Sequence, residues 1–71
     1  MKKYLVIYEK ADGNWAAYVP DLPGCVAVAD TREEVAQLIR EAIAFHIEGM
    51  KEEGLPIPEQ TAEAESVSVA A

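Results

Sequence analysis

The sequence predicts one small α+β domain in the order β-β-β-α-β, a three-stranded antiparallel meander with one helix packed on it and a short C-terminal strand. Short apolar runs separated by turn signals occupy the first half of the chain. A long amphipathic helical pattern occupies the centre, and valine alternates with serine in the tail. At 71 residues the chain has the size of a single domain, which we assign to residues 1–71.

The first two strands are predicted on either side of a tight turn. The run "KKYLVIYEK" is rich in tyrosine, valine and isoleucine, which predicts a strand, and its apolar residues on both faces indicate a central one. "ADGN" contains Asp-Gly, a strong hairpin signal, and "WAAYVP" supplies the partner strand. In that strand Trp15, Ala17 and Val19 share one face, whereas Ala16 and Tyr18 share the other.

A second turn leads into the third strand. "LPGC" predicts a type II turn, because Pro23 suits its second position and Gly24 its third. Leu22, at the tip of this turn, is either tucked beneath the hairpin or offered to a partner. "CVAVA" is then a short strand in which every second residue from Cys25 to Ala29 is small, which leaves room for a bulky neighbour.

The helix has the clearest signal, and we predict it over about residues 32 to 53. Thr31 is a good N-cap, and Glu34 three residues later completes a capping box. Gly54 favours a C-terminal stop, and Pro56 and Pro58 prevent the helix from resuming. Apolar residues recur at the spacing of one helical stripe: Val35, Leu38, Ile39, Ala42, Ile43, Ile47 and Met50.

The C-terminal tail is predicted to be extended. "GLPIPEQ" should be stiff because its prolines restrict the backbone. Val67 and Val69 then alternate with Ser66 and Ser68, the pattern of a short edge strand. With one helix on one face, the other face of the sheet is either uncovered or covered by a second subunit.

Composition and charge limit the classes of function. Six basic residues stand against thirteen acidic ones, a formal net charge of −7, so we expect no direct binding of nucleic acid and attraction to a basic partner. Cys25 is the sole cysteine, which fits a reducing compartment, and no apolar run approaches the length of a membrane span. We therefore expect a soluble, cytoplasmic protein. Its small size favours a homodimer or higher homo-oligomer.

The sequence offers weak candidates for catalysis. Asp12, Asp21 and Asp30 could converge on a metal ion, but each lies at a turn or before the helix, where aspartate caps backbone groups. His46 could be a general base, but it lies beside the apolar stripe, and no nucleophile is placed next to it. Cys25 has no nearby basic residue in sequence to activate it. We predict no catalytic residue, no metal site and no cofactor.

A combination of motifs resembles the HicB antitoxin family. An aromatic-x-Pro-Asp-Leu-Pro-Gly-Cys run precedes Asp-Thr-x-Glu-Glu, an amphipathic helix and "GLPIPEQ". The matching residues are Tyr18, Pro20, Asp21, Leu22, Pro23, Gly24, Cys25, Asp30, Thr31, Glu33, Glu34, Glu41, Ala42, Gly54, Pro56 and Pro58. The resemblance implies a degenerate, partial RNase H-like fold without nuclease chemistry, since "YLVIY" carries no carboxylate in the first strand.

The resemblance also implies a role. HicB-type proteins bind HicA toxins, which are small basic ribonucleases that cleave mRNA, and cover the RNA-binding surface of the toxin. Many of them carry a C-terminal DNA-binding module. The sequence to Ala71 has none, so it resembles a solitary form and we expect no operator binding.

We place the partner contacts at two acidic segments. One is the turn formed by Asp21, Leu22 and Pro23, and the other is the helix start with Asp30, Glu33 and Glu34. Two alternatives stay open: a regulatory or interaction domain with an unrelated partner, and a residual metal-dependent nuclease that uses the three aspartates.

Overall fold

The computed structural model describes residues 2–71, which contain three strands and one helix in the order β-β-β-α. They are β1 (Ile7–Ala11), β2 (Asn14–Tyr18), β3 (Val26–Ala29) and α1 (Arg32–Glu52). The strands form one antiparallel sheet in the order β1-β2-β3, so that β2 is central. The predicted α+β class and the meander are confirmed.

The prediction that the first strand is central is wrong. β1 begins only at Ile7 and lies on an edge of the sheet, because sequential short hairpins put the second strand in the middle. The apolar residues on both of its faces have another cause. Tyr4 and Val6, ahead of the strand, pack against the core together with Tyr8, whereas Ile7 lies on the opposite face of the sheet.

Two consecutive turns join β2 to β3 and direct a leucine inward. The Leu22 N–H donates to the carbonyl of Val19 at 3.1 Å, and the Cys25 N–H donates to the carbonyl of Leu22 at 3.0 Å. Gly24 has a φ of +84°, as the third position of a type II turn requires. Leu22 is fully buried, so it is tucked beneath the hairpin and its side chain offers no surface to a partner. This corrects its place among the predicted partner contacts.

Replacing Gly24 with alanine is expected to destabilise the protein by about 1–2 kcal/mol, since an L-residue is strained at positive φ. No atom lies within 4 Å of the added Cβ, so the effect isolates the backbone conformation. Gly49→Ala is the matched control: it meets no neighbour either, and within α1 alanine should stabilise the protein by about 0.5–1 kcal/mol. Urea unfolding of both variants measures the change in the free energy of unfolding, which should be a decrease for Gly24→Ala and an increase for Gly49→Ala. Equal effects would contradict the assigned turn.

Both predicted ends of the helix are confirmed. The Thr31 hydroxyl accepts from the Glu34 N–H at 3.1 Å and donates to the Glu34 carboxylate at 2.9 Å. At the other end Gly54 has a φ of +70°, and the Leu55 N–H donates to the carbonyl of Met50 at 2.9 Å. This is the hydrogen-bond pattern of a Schellman motif, in which the glycine satisfies the last carbonyls of the helix.

The core lies between α1 and one face of the sheet. The helix approaches closely because β3 presents only small side chains on this face, as the sequence predicts. β2 faces the helix with Ala17, and the predicted sorting of the β2 residues between the two faces is confirmed. The buried members of the core are Ala17, Val19, Leu22, Cys25, Val35 and Ile39.

The predicted C-terminal strand does not form: within residues 2–71, the segment after α1 has no regular secondary structure. Val67 and Val69 are both exposed, and alternation specifies a strand only where one set of side chains is buried against a sheet. The segment is instead held to the domain by side chains. The Tyr4 hydroxyl donates to the carbonyl of Pro58 at 2.5 Å, and Lys2 forms an ion pair with Glu59.

Candidate partner-binding site

The predicted partner residues lie at two opposite ends of β3. Asp21 and Pro23 lie in the turn before it, whereas Asp30, Glu33 and Glu34 follow it at the start of α1. A strand rises about 3.3 Å per residue, so β3 separates the two groups by roughly 15 Å. The structure therefore does not bring these residues together in one compact site.

Asp21 anchors the C-terminal segment. Its carboxylate accepts hydrogen bonds from the Thr61 hydroxyl at 2.8 Å, the Thr61 N–H at 3.2 Å and the Ala62 N–H at 3.3 Å. These bonds, the one from the Thr61 side chain above all, lower the pKa of Asp21 below the ordinary value for aspartate. The side chain thus ties residues 61–62 to the β2–β3 turn, a structural task that the sequence pattern does not reveal.

The Asp21 anchor predicts a pH-dependent contribution to stability. A lowered pKa in the folded state means that the contribution is present above the unfolded pKa of about 3.9 and is lost as the pH falls through the folded value. Asp21→Asn should therefore lower the urea midpoint at pH 7, and its difference from the wild type should shrink below about pH 4. Asp12→Asn is the control, since Asn-Gly also suits the hairpin turn. A pH-independent difference for Asp21→Asn would contradict the anchor.

The start of α1 lines a cleft of mixed charge. The cleft has a volume of about 440 Å³ and opens between the β1–β2 hairpin and the helix start. Asp30 and Glu33 line it together with Lys10 and Arg32, and the Arg32 guanidinium lies 3.5 Å from the centroid of the Tyr8 ring. The acidic residues here are interleaved with cations, so this end of the molecule has no uniform negative field.

The three aspartates of the nuclease alternative do not converge. Asp12 and Asp30 lie at the hairpin end of the sheet, whereas Asp21 lies at the other end, bonded to Thr61. Among residues 2–71, no three acidic, histidine or cysteine side chains are grouped to hold a metal ion. Cys25 is buried, and burial raises the pKa of its thiol, which disfavours the reactive thiolate.

Two surfaces outside the predicted partner segments carry exposed apolar side chains, and Glu34 is the one predicted partner residue that belongs to either of them. The first, which we call the acidic flank, is the outward side of α1, formed by Glu34, Leu38, Glu41, Phe45 and Glu52. Phe45 is 83% exposed. A sequence signal did exist for it, because Phe45 falls outside the apolar stripe of the helix, and an aromatic residue on the polar side of a helix is a candidate for partner contact.

The second surface, the open sheet face, lies on the side of the sheet away from α1. Its apolar centre consists of Ile7, Ala16, Tyr18, Val26 and Val28, and the strand register places Glu9 of β1 and Asn14 of β2 on the same side. Val26 and Val28 are 63% and 59% exposed, although valines in a strand are ordinarily at least half buried on one face. The part of this face on β2 and β3 carries no charged side chain.

An apolar cleft of about 440 Å³ lies beside the second half of α1. Tyr4, Ile43, Ile47 and Ile57 contribute apolar side chains to its lining, and the charged residues Lys2, Glu48 and Lys51 also line it.

Among residues 2–71, no helix combines the length and the apolar character that crossing a bilayer requires.

Comparison with known proteins identifies the family. The HicB-like antitoxins of bacterial toxin–antitoxin systems match residues 4–70. The chain is 43% identical over 58 residues to a UPF0150 protein of Synechocystis sp., covering 80% of this chain and 73% of that protein. It is 38% identical over 63 residues to a UPF0150 protein of Thermoplasma acidophilum, covering 89% of this chain and 91% of that protein.

A phage protein extends the comparison. The chain is 42% identical over 55 residues to an uncharacterized 14.9 kDa protein in the rep-hol intergenic region of Haemophilus phage HP1; the match covers 78% of this chain but only 41% of the phage protein.

No solved structure matches the chain, so the RNase H-like kinship stays a prediction. The match to the antitoxin family covers nearly the whole sequence, including all three strands and the helix. The chain belongs to the HicB-like antitoxin family of bacterial toxin–antitoxin systems.

Proposed function

We propose that this protein acts in the cytoplasm as an antitoxin that neutralises a small basic toxin of the HicA type by covering the surface with which the toxin binds mRNA. The observation that carries the proposal is the net charge of −7 on a chain of this antitoxin family. A surface built to bind phosphates is cationic, and an acidic protein can occupy it in place of RNA. The protein acts by binding, with no reaction and no cofactor of its own.

We propose further that the protein is a homodimer that joins through the open sheet face. Two chains of charge −7 repel each other over most of their surface. The open sheet face is where this repulsion is weakest, because its β2 and β3 residues are uncharged and Glu9 of the edge strand β1 is its one charged side chain among the strand residues. An isologous contact there would cover Val26 and Val28 of both copies and leave α1, on the other side of the sheet, free for the toxin.

The antitoxin function is tested with the product of the reading frame next to the gene. We expect that frame to encode a small basic protein that cleaves mRNA, and we expect equimolar antitoxin to stop the cleavage. The dissociation constant should rise at least about tenfold between 0.05 and 1 M salt, since exposed charge pairs are largely screened at the higher concentration.

Two results would count against this function. One is RNA cleavage that continues in the presence of a stable complex, which would separate binding from neutralisation. The other is a neighbouring product that is neither basic nor bound, which would favour a regulatory domain with an unrelated partner. Cleavage of RNA by the isolated antitoxin would contradict the proposal that it acts by binding alone.

A further inference from the structure

We propose that the acidic flank of α1 is the surface on which the toxin docks, with Phe45 and Leu38 inserted into an apolar recess of a cationic toxin surface. This inference rests on the proposed function and names the site that performs it. It also replaces the two separated segments at the ends of β3 by one continuous surface on a single rigid element.

The geometry of the helix gathers these residues. An α-helix turns about 100° per residue, so Leu38 and Phe45, seven residues apart, lie two turns apart on one side. By the same calculation, three glutamates lie within about 60° of the line from Leu38 to Phe45: Glu34, Glu41 and Glu52. The five side chains therefore form one stripe, and all five are exposed.

Phe45 is the most prominent feature of the stripe. It is the most exposed large apolar side chain of α1, and Leu38 is 42% exposed on the same side. Removing either side chain from water is favourable in free energy, and a partner can bury the apolar surface that the domain leaves exposed. Aromatic side chains surrounded by polar neighbours are typical energetic centres of protein interfaces.

The charges around Phe45 indicate what kind of partner fits. Glu34, Glu41 and Glu52 border the apolar pair, whereas the basic residues of α1 lie at least about 120° away around the helix. One of these, Arg32, is turned toward the sheet, where it stacks on Tyr8. The acidic flank thus presents an apolar centre with a negatively charged rim, which complements a cationic surface.

Other occupants fit this rim poorly. A second copy would bring the same glutamates against it, and nucleic acid or an anionic membrane would bring phosphates. The C-terminal tail of the chain carries Glu63 and Glu65 beside its exposed valines, so it also has the wrong charge. A basic protein is therefore the partner whose charge fits this surface. A toxin that binds RNA is basic because it must attract the phosphates of RNA.

Binding of the neighbouring toxin by point variants tests the inference. We expect Phe45→Ala to raise the dissociation constant at least tenfold, as for truncation of an aromatic interface centre. Val69→Ala is the control, since it truncates an apolar side chain of similar exposure in the tail and should leave the constant unchanged. Circular dichroism should show equal helix content in both variants, because Phe45 contributes little to the core.

A charge pair of variants gives an independent measurement. Glu41→Gln, on the acidic flank, should weaken binding about three- to tenfold at low salt, and the difference should vanish near 1 M salt. Glu33→Gln removes the same charge from the first turn of the same helix, outside the acidic flank and about 80° around the axis from Glu41. We expect it to change the logarithm of the dissociation constant by less than half as much as Glu41→Gln. Glu33 is also one of the partner residues predicted from sequence, so the comparison decides between the two surfaces.

The outcomes separate this inference from the proposed function. If the wild type inhibits the toxin while Phe45→Ala and Glu41→Gln bind as tightly as the wild type, the antitoxin function stands and the acidic flank is not its docking surface. If Glu33→Gln weakens binding more than Glu41→Gln, the helix start is the docking site. If the wild type does not bind the toxin, both proposals fail.

Discussion

Replacing Leu22 with alanine is expected to lower the free energy of unfolding by about 2–5 kcal/mol, enough to leave much of the protein unfolded at 37 °C. Leu22 has no accessible surface, although it lies in a link between two strands. It packs with Val19, Val35 and Ile39, and the two turns around it leave its side chain no other position. A domain of 71 residues has a small core, so the loss of one large member cannot be absorbed elsewhere.

Leu38→Ala is the matched control for this experiment. It makes the same chemical change at a half-exposed helix position, where alanine is also a good helix former, so the cost should stay below about 1 kcal/mol. Thermal and urea unfolding followed by circular dichroism measure both variants. In a binding assay at a temperature below both unfolding transitions, Leu22→Ala should bind the toxin more tightly than Leu38→Ala, because it retains the acidic flank. Equal losses of stability would show that Leu22 is not part of the core.

The double variant Val26→Lys with Val28→Lys is expected to convert the proposed homodimer into a monomer. In an isologous contact each substitution acts twice, so four ammonium groups would be buried close to one another at the interface. Burying unpaired charges costs far more than the contact of a few valines contributes. Both residues are exposed in the single chain, so the fold itself should survive.

Sedimentation analysis over a range of concentrations measures this change. Val67→Lys with Val69→Lys is the control, since it adds the same charge in the exposed tail and should leave the dimer intact. The added lysines reduce the net negative charge of the chain, which by itself favours association, so dissociation can be assigned to the open sheet face. A wild type that is monomeric at all concentrations would contradict the dimer directly.

The local elements of the fold were predictable from the sequence because each is specified by neighbours along the chain. The capping box joins residues three positions apart, Thr31 and Glu34, and the helix ends where Gly54 takes up positive φ. The Pro23–Gly24 turn follows from the backbone preferences of these two residues alone. The small side chains of β3 likewise predicted a bulky neighbour, and α1 packs there.

The candidate site was harder to predict, because exposure is a property of the packed molecule. Asp21 looked like a surface acid available to a partner, but its carboxylate binds Thr61, forty residues away. The sequence is compatible with Leu22 being either buried or exposed, and only packing decides between these. Phe45 was visible as an aromatic residue outside the apolar stripe, yet its importance emerges only when no other part of the described chain covers it.

Sequence alone was sufficient for the order of the three strands and the helix, the two helix ends, the turn before β3, the membership of the antitoxin family and the net negative charge. Packing settles which strand is central, that the tail is held to the domain without joining the sheet, and which charged residues share a face. The division has one physical reason. Caps, turns and periodicity act over a few residues, whereas the contacts that place Tyr4 against Pro58 or Asp21 against Thr61 span 54 and 40 residues and form only in the folded chain.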